Sequence, residues 1–339
     1  MSINRQVYKN KKKGKKKRKR ILLWIIMPIL LLIIGATAYG GFLYNKAESV
    51  MNKSYKPIER DTKAAKANVK LENTSILFIG VDDSEKRKAS GSSRSDALML
   101  ATFNKEDKSI KLLSIPRDSY VHIPEKDIYT KINHAHAYGG VKLTLETVEE
   151  LLDVPVDYYV KMNFNAFIDV IDALDGVKID VPFTFSEQDS KDHAKAITLK
   201  KGLQELDGEE ALAFARTRKI DNDIQRGLRQ QQIFKAILAK GASLKSITNY
   251  TDVMEAVGKN MSTDLTFDQM KSFISYVQAG SGIDVESMSL KGSDSYIDRV
   301  YYYQLDEAAL EETKAKLKAQ LNSTTTASTT ETETETETE

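Results

Sequence analysis

The sequence predicts an α/β domain, layered α-β-α around a mixed, partly antiparallel central sheet, preceded by one N-terminal transmembrane helix. Three observations carry that expectation. Between residues 71 and 321, short apolar strand-like runs alternate with helix-period patterns, as layered α/β domains do. Some of the polar links between runs are too short for a parallel crossover, so part of the sheet pairs antiparallel. Residues 21–44 (ILLWIIMPILLLIIGATAYGGFLY) form a 24-residue run without a charge. As a helix it rises about 36 Å, against a hydrocarbon core of roughly 30 Å.

The first twenty residues hold eleven Lys and Arg and no acid. A basic flank on a first apolar helix stays in the cytoplasm. Residues 1–20 therefore read as a cytoplasmic tail, 21–44 as a signal-anchor, and 45–70 as a polar extracytoplasmic linker. Cleavage after Ala36-Thr37-Ala38 is the rival reading, but the apolar run continues past it to Tyr44. Residues 71–321 are one folded domain outside the cell, beside membrane lipid. Residues 322–339 are a Thr/Glu-rich tail whose five Glu repel one another and leave it disordered.

Composition excludes several functions. The chain has 50 basic and 48 acidic residues. Without the eleven N-terminal bases the balance is 39 against 48, near −9. A soluble nucleic-acid binder spreads positive charge over its folded domain, so nucleic acid is not an expected partner. There is no Cys, which excludes disulfides and thiol chemistry. The four His lack an HExxH spacing or a third ligand pattern for zinc.

The elements follow in order. Residues 75–81 (SILFIGV) read as a buried strand. Residues 96–104 and 109–115 read as two strands joined through the polar KED turn. Over 141–152, Leu145, Val148, Leu151 and Leu152 fall on one helical face. A short strand follows at 158–162. A helix over 165–174 stops near Gly176, and a strand over 177–181 is closed by Pro182. Helices are expected over 208–214 and 229–238.

Charge gathers at three places. Asp82 and Asp83 end the first strand, and SSRSD, with Arg94 and Asp96, opens the second. Carboxylates at adjacent strand ends suit a cation with oxygen ligands, and Mg²⁺ fits phosphate chemistry; solvated turns are the plain alternative. Arg117 ends a strand in Ser114-Ile115-Pro116-Arg117-Asp118, with Lys131 near it in sequence. Arg offers a planar fork for phosphate. In residues 214–232 (FARTRKIDNDIQRGLRQQQ), Arg216, Arg218, Arg226 and Arg229 fall within fourteen residues, together with Asp223. Pyrophosphate is the anion that fits this density beside a carboxylate-bound cation. A prenyl chain attached to it needs an apolar channel; segments 145–152, 164–174 and 233–238 are candidates, although ordinary core packing accounts for the same faces.

These motifs, in order, resemble the LytR-CpsA-Psr family of cell-wall glycopolymer transferases. The resemblance rests on GVD at 80–82, RSD at 94–96, SIPRD at 114–118, KIN at 131–133 with YGG at 138–140, and RTR…DIQRGLRQQ from 216. It implies a layered domain of that family's type in a Gram-positive-type envelope. It implies transfer of a teichoic acid, capsule or related wall polysaccharide from an undecaprenyl-pyrophosphate carrier to peptidoglycan through a phosphodiester. By the same resemblance Arg94, Arg117, Lys131, Arg216, Arg218, Arg226 and Gln230 bind the pyrophosphate, and Asp96 and Asp223 hold Mg²⁺. Asp82 is the first candidate for general base, which completes a catalytic set of Asp82, Arg94, Asp96, Arg117, Asp223 and Arg226. Gln225 stands where the family often has Gly. A non-catalytic binder or sensor of envelope polymers is the alternative. The older label of transcriptional regulator conflicts with the expected topology.

Overall fold

The computed structural model describes residues 39–59, 73–82, 94–218, 223–243, 258, 260–279 and 283–322. The expected basic tail, residues 21–38 of the expected span, residues 60–72 and residues 323–339 lie outside the described residues. The chain divides into two compact units, Met1–Ser49 and Val50–Glu339.

In the first unit, residues 39–49 are helical. The expected transmembrane helix over 21–44 is corrected here. The helical residues run past Tyr44 and carry Lys46 and Glu48, charges that an apolar core excludes. No helix among the described residues is long and apolar enough to cross a membrane. Among the described residues no such helix supports the signal-anchor or the single-pass localisation with a cytoplasmic N-terminus and an extracellular domain, and neither is carried further.

The second unit holds a six-stranded mixed sheet. Its strands are β1 (Thr74–Val81), β2 (Ser95–Asn104), β3 (Ser109–Ile115), β6 (Tyr158–Asn163), β11 (Met261–Thr263) and β12 (Asp284–Ser289), in the order β11-β6-β1-β2-β3-β12. The expected mixture is present: β1–β2, β2–β3 and β6–β11 are antiparallel, while β1–β6 and β3–β12 are parallel. The β2–β3 turn closes because Asn104 Oδ1 accepts from the backbone N–H groups of Glu106 and Asp107, both at 3.0 Å. Two-stranded ribbons flank the sheet: β4 (Tyr120–Ile123) with β5 (Ile128–Lys131), β7 (Val177–Val181) with β10 (Gly202–Leu206), β8 (Phe185–Glu187) with β9 (Ile197–Leu199), and β13 (Gly292–Ile297) with β14 (Val300–Leu305).

Alternation along β1 sends Leu77, Ile79 and Val81 to one layer, with α1 (Asn133–Leu152) and Leu317 of α6 (Glu307–Asn322). Ile76 and Phe78 face the other layer, with Phe234 and Leu238 of α4 (Asp223–Ser243) and Met270 and Phe273 of α5 (Phe267–Ala279). A third cluster joins β7 and β10 to α2 (Phe164–Ala173), α3 (Gly208–Arg216) and α4.

The helices form where the pattern and caps agree. Asn163 caps α2 by accepting from the Ala166 N–H at 3.0 Å. Asp207 and Glu210 make a reciprocal capping box on α3. The expected 141–152 helix is the long part of α1. The chain breaks before it at Gly140, whose φ of +63° a side chain would resist. The YGG motif is thus a kink. The expected 229–238 helix starts earlier, at Asp223, whose carboxylate in the first turn suits the helix dipole.

Candidate active site

A cavity of about 810 Å³ lies between the Ile76/Phe78 face of the sheet and helices α2, α4 and α5. Its wall is apolar, with Phe78, Met99, Phe103, Val160, Phe167, Ile237 and Phe273 among the lining side chains. Its polar residues include Asp82, Asp96, Arg117, Arg216, Arg218, Arg226 and Gln230. Of the three channel candidates, 164–174 and 233–238 contribute to this wall. Segment 145–152 does not: α1 buries Leu145, Val148 and Leu152 against the opposite face. The sheet's own share of the wall went unread, although alternate residues of β1 and β2 (Ile76, Phe78; Met99, Phe103) were the available signal.

The charged residues converge on Arg117. Its Nη1 lies 2.5 Å from Asp96 Oδ1, and its Nε lies 3.5 Å from Asp118 Oδ2 and 3.8 Å from Asp223 Oδ2. Arg226 Nη1 is 3.2 Å from Asp223 Oδ1, and its Nη2 donates to the Asp96 carbonyl at 3.3 Å. Arg218 Nε stands 3.6 Å from Asp223 Oδ1. Burial pushes Arg226 down to about 10, with the neighbouring Asp223 opposing; it stays charged at neutral pH. Burial alone would raise Asp118. The Lys131 hydrogen bond and the Arg117 and Lys131 charges outweigh it and hold the carboxyl below its usual value.

Both arginines of the RxR pair line the cavity, but they make different protein contacts. Arg216 ends α3, and its Nη2 donates to the carbonyls of Gln188 at 2.5 Å and Asp189 at 2.6 Å. Its Nε is buried with no hydrogen-bond partner among the described residues, on a side chain that lines the cavity. An anion would satisfy that donor. Arg218 turns instead to Asp223. Arg229 is structural: buried, it donates to the carbonyls of Phe214 at 3.0 Å and Thr217 at 2.7 Å. Gln231 ties α4 to β3 and β12 through the Leu112 and Met288 carbonyls. Gln230 reaches the cavity and donates to the Ala215 carbonyl at 3.4 Å.

Lys131 lies outside the cavity lining. Its Nζ is 2.9 Å from Asp118 Oδ1 and sits over the rings of Tyr301 and Tyr302. Arg94 is exposed at the entrance to β2. Burial, then the charges of Arg94 and Lys131, depress His134, whose Nδ1 is 2.9 Å from Thr130 Oγ1.

The expected Mg²⁺ ligands, Asp96 and Asp223, stand on either side of Arg117. Among the described residues no group of three or more His, Asp or Glu side chains could hold a metal ion. Asp96 pairs with Arg117, and Asp223 pairs with Arg226, Arg218 and Arg117. Mg²⁺ needs only one or two carboxylates when substrate phosphates supply further oxygens. The pair therefore fits such an ion only together with a diphosphate.

A model of the LytR_cpsA_psr family matches residues 41–319. The chain belongs to the LytR-CpsA-Psr family. One relative, the polyisoprenyl-teichoic acid–peptidoglycan teichoic acid transferase TagT of Bacillus subtilis, is 40% identical over 293 residues, 85% of this chain and 90% of that protein. The corresponding transferase TagU of Bacillus cereus is 38% identical over 310 residues, 88% and 97% of the two chains. Among solved structures, TagT bound to LIIa-WTA superposes with a TM-score of 0.65 at 40% identity, covering 80% of this chain and 98% of that one. The LytR-CPS2A-psr family protein YwtF (TagT) with bound octaprenyl pyrophosphate lipid gives 0.61 at 37% identity, with the same coverage.

Proposed function

We infer that this chain transfers a glycopolymer from a polyprenyl-pyrophosphate carrier onto peptidoglycan. The observation that carries the reading is an apolar cavity of about 810 Å³ with arginines among its polar residues. It is shaped for a molecule greasy at one end and doubly anionic at the other. The prenyl chain takes the apolar wall, and Arg117, Arg216, Arg218 and Arg226 take the diphosphate. Teichoic acid is the polymer named for the relatives TagT and TagU, and it is the first donor to try.

An acceptor sugar hydroxyl attacks the phosphorus bonded to the glycopolymer. A new O–P bond forms, the P–O bond of the anhydride breaks, and polyprenyl phosphate leaves with the electron pair. The hydroxyl proton passes to a carboxylate, and we assign Asp82 that role. The anhydride supplies the driving force, so no nucleotide is consumed. The guanidiniums stabilise charge that accumulates on the leaving phosphate, and their gain grows where bound lipid excludes water. Asp96 and Asp223 would hold Mg²⁺ with the diphosphate, adding positive charge there.

The full chain, given a polyprenyl-pyrophosphate-linked teichoic acid precursor, Mg²⁺ and peptidoglycan oligomer, is expected to add the polymer and its bridging phosphate to the oligomer without ATP. Mass spectrometry of the oligomer reads the product. Tight donor binding with no mass gain across several donors overturns the transferase reading and leaves a carrier-binding protein.

A further inference from the structure

A run of aromatic rings leads away from the charged cluster. Lys131 Nζ, 2.9 Å from Asp118, stands 5.5 Å from the centroid of Tyr301 and 5.7 Å from that of Tyr302. Tyr302 meets Tyr120 edge to face at 4.9 Å, and Tyr120 meets Tyr129 at 5.7 Å. On the other side Tyr301 meets Tyr296 at 5.7 Å. Two ribbons build this arc. β4–β5 carries Tyr120 and Tyr129; β13–β14 carries Tyr296, Tyr301 and Tyr302. They are locked together where the Tyr303 N–H donates to the Asp118 carbonyl at 2.8 Å. The arc's ends are open: Tyr129 is 62% and Tyr296 73% exposed. The inner rings, Tyr120, Tyr301 and Tyr302, are half-buried and connect the two exposed ends; exposed aromatic rings in a connected group mark an interaction site, and tyrosine joins an apolar face to a polar tip.

We propose that this tyrosine arc is the seat of the acceptor glycan strand. Pyranose rings present C–H faces to aromatic rings and hydroxyls to phenolic and ammonium groups, and the arc offers all three. Its position selects the acceptor. The leaving polyprenyl phosphate keeps its chain in the cavity, whose wall includes Arg117 but neither Asp118, Lys131 nor any ring of the arc. In-line displacement brings the attacking oxygen from the side away from the leaving group. The arc lies beyond Asp118, outside the cavity, and is joined to the charged cluster through Lys131. This inference rests on the transferase reading and names where its acceptor binds.

The test uses the full chain carrying Tyr129→Ala and Tyr296→Ala together. Both side chains are exposed, and so their loss leaves the core intact. Co-sedimentation with purified peptidoglycan glycan strands, stripped of attached polymer, is expected to show about tenfold weaker binding, with octaprenyl pyrophosphate affinity unchanged. In the transfer assay the acceptor KM rises by about the same factor while the donor KM holds. The Tyr129→Phe, Tyr296→Phe pair keeps the ring faces and retains most of the affinity. Unchanged glycan-strand binding in the Ala pair overturns the proposal, and so does a shift confined to the donor KM. Should the unmodified chain transfer nothing, sedimentation still decides. Weakened glycan binding in the Ala pair then keeps the arc while the enzymatic reading falls.

Discussion

Gly227 and Ser114 are in contact without room for a side chain between them: a β-carbon on Gly227 would stand 2.2 Å from Ser114 Oγ and 3.0 Å from Ser114 Cβ. That approach joins the end of β3 to the first turn of α4. It brings Arg226, one residue before the glycine, to the cluster around Arg117, three residues after the serine. Gly227→Ala gains up to ~1 kcal/mol of helix propensity but overpacks a buried contact, which costs about 1–3 kcal/mol. A net loss of about 1 kcal/mol is expected in urea denaturation, together with weaker diphosphate binding. Ser114→Gly in the same chain should restore part of both. Additive losses in the double variant would remove the steric explanation.

The Lys131–Asp118 pair predicts a pH effect of definite sign. Asp118 is held below its ordinary carboxyl value although burial pushes the other way. A depressed folded-state pKa contributes stability above the unfolded value of 3.8, lost as pH falls through the lower folded value. Lys131→Met removes the first of the lowering causes and leaves the burial. The Asp118 pKa must then rise, and acid unfolding must begin at higher pH than in the unmodified chain. Carboxyl NMR titration follows the group directly, and circular dichroism against pH follows the fold. An acid transition at the same pH in both chains would refute the coupling.

The cavity predicts a dependence on lipid length. Each methylene moved from water to an apolar wall contributes about 0.8 kcal/mol. Diphosphate affinity should therefore climb from geranyl to farnesyl to octaprenyl carriers. Ile237→Trp fills space inside the wall without touching the arginines. We expect it to weaken octaprenyl pyrophosphate binding by about tenfold or more, with little change for geranyl pyrophosphate. Calorimetry with the two ligands separates the cases. Equal losses for both would mean that the substitution had disturbed the charged residues rather than the channel.

The sheet and the grouping of charged residues that line the cavity were legible because their signals are local. Strand runs such as SILFIGV are apolar on both faces, and the β2–β3 turn is short and polar. The arginines crowd into a few motifs. What stayed hidden depends on tertiary placement. Nothing in the spacing of Arg216 and Arg218 says that one donates to the carbonyls of Gln188 and Asp189 while the other turns to Asp223. Lys131 and Tyr301 are far apart in sequence and meet only when two ribbons dock. Helix α1 has the apolar face a lipid channel would need, yet it packs on the other layer of the sheet, against Leu77, Ile79 and Val81. The apolar run at 21–44 was read from its length, its lack of charge and its basic flank, and the charged residues of the helical stretch over 39–49 lie past its expected end.

The two arginines of the RTR motif give the sharpest contrast. Arg218 spans to Asp223 at 3.6 Å and lines the cavity, so its side chain is available to a diphosphate at little cost to the fold. Arg218→Ala should weaken octaprenyl pyrophosphate binding by about 1.5–3 kcal/mol, the worth of a charge-assisted contact, with thermal stability nearly unchanged. Arg218→Lys should recover only part, since the ammonium lacks the planar fork. Arg216 also lines the cavity, but it holds two carbonyls and lies 5.8 Å over the Phe164 ring. Arg216→Ala leaves those carbonyls without their donor. It should lower the melting temperature as well as the affinity, and Lys should rescue the stability poorly. Differential scanning calorimetry beside ligand titration measures both quantities on the same samples. A stable Arg216→Ala chain that loses only affinity would dissolve the structural role argued for Arg216 from its two carbonyl contacts.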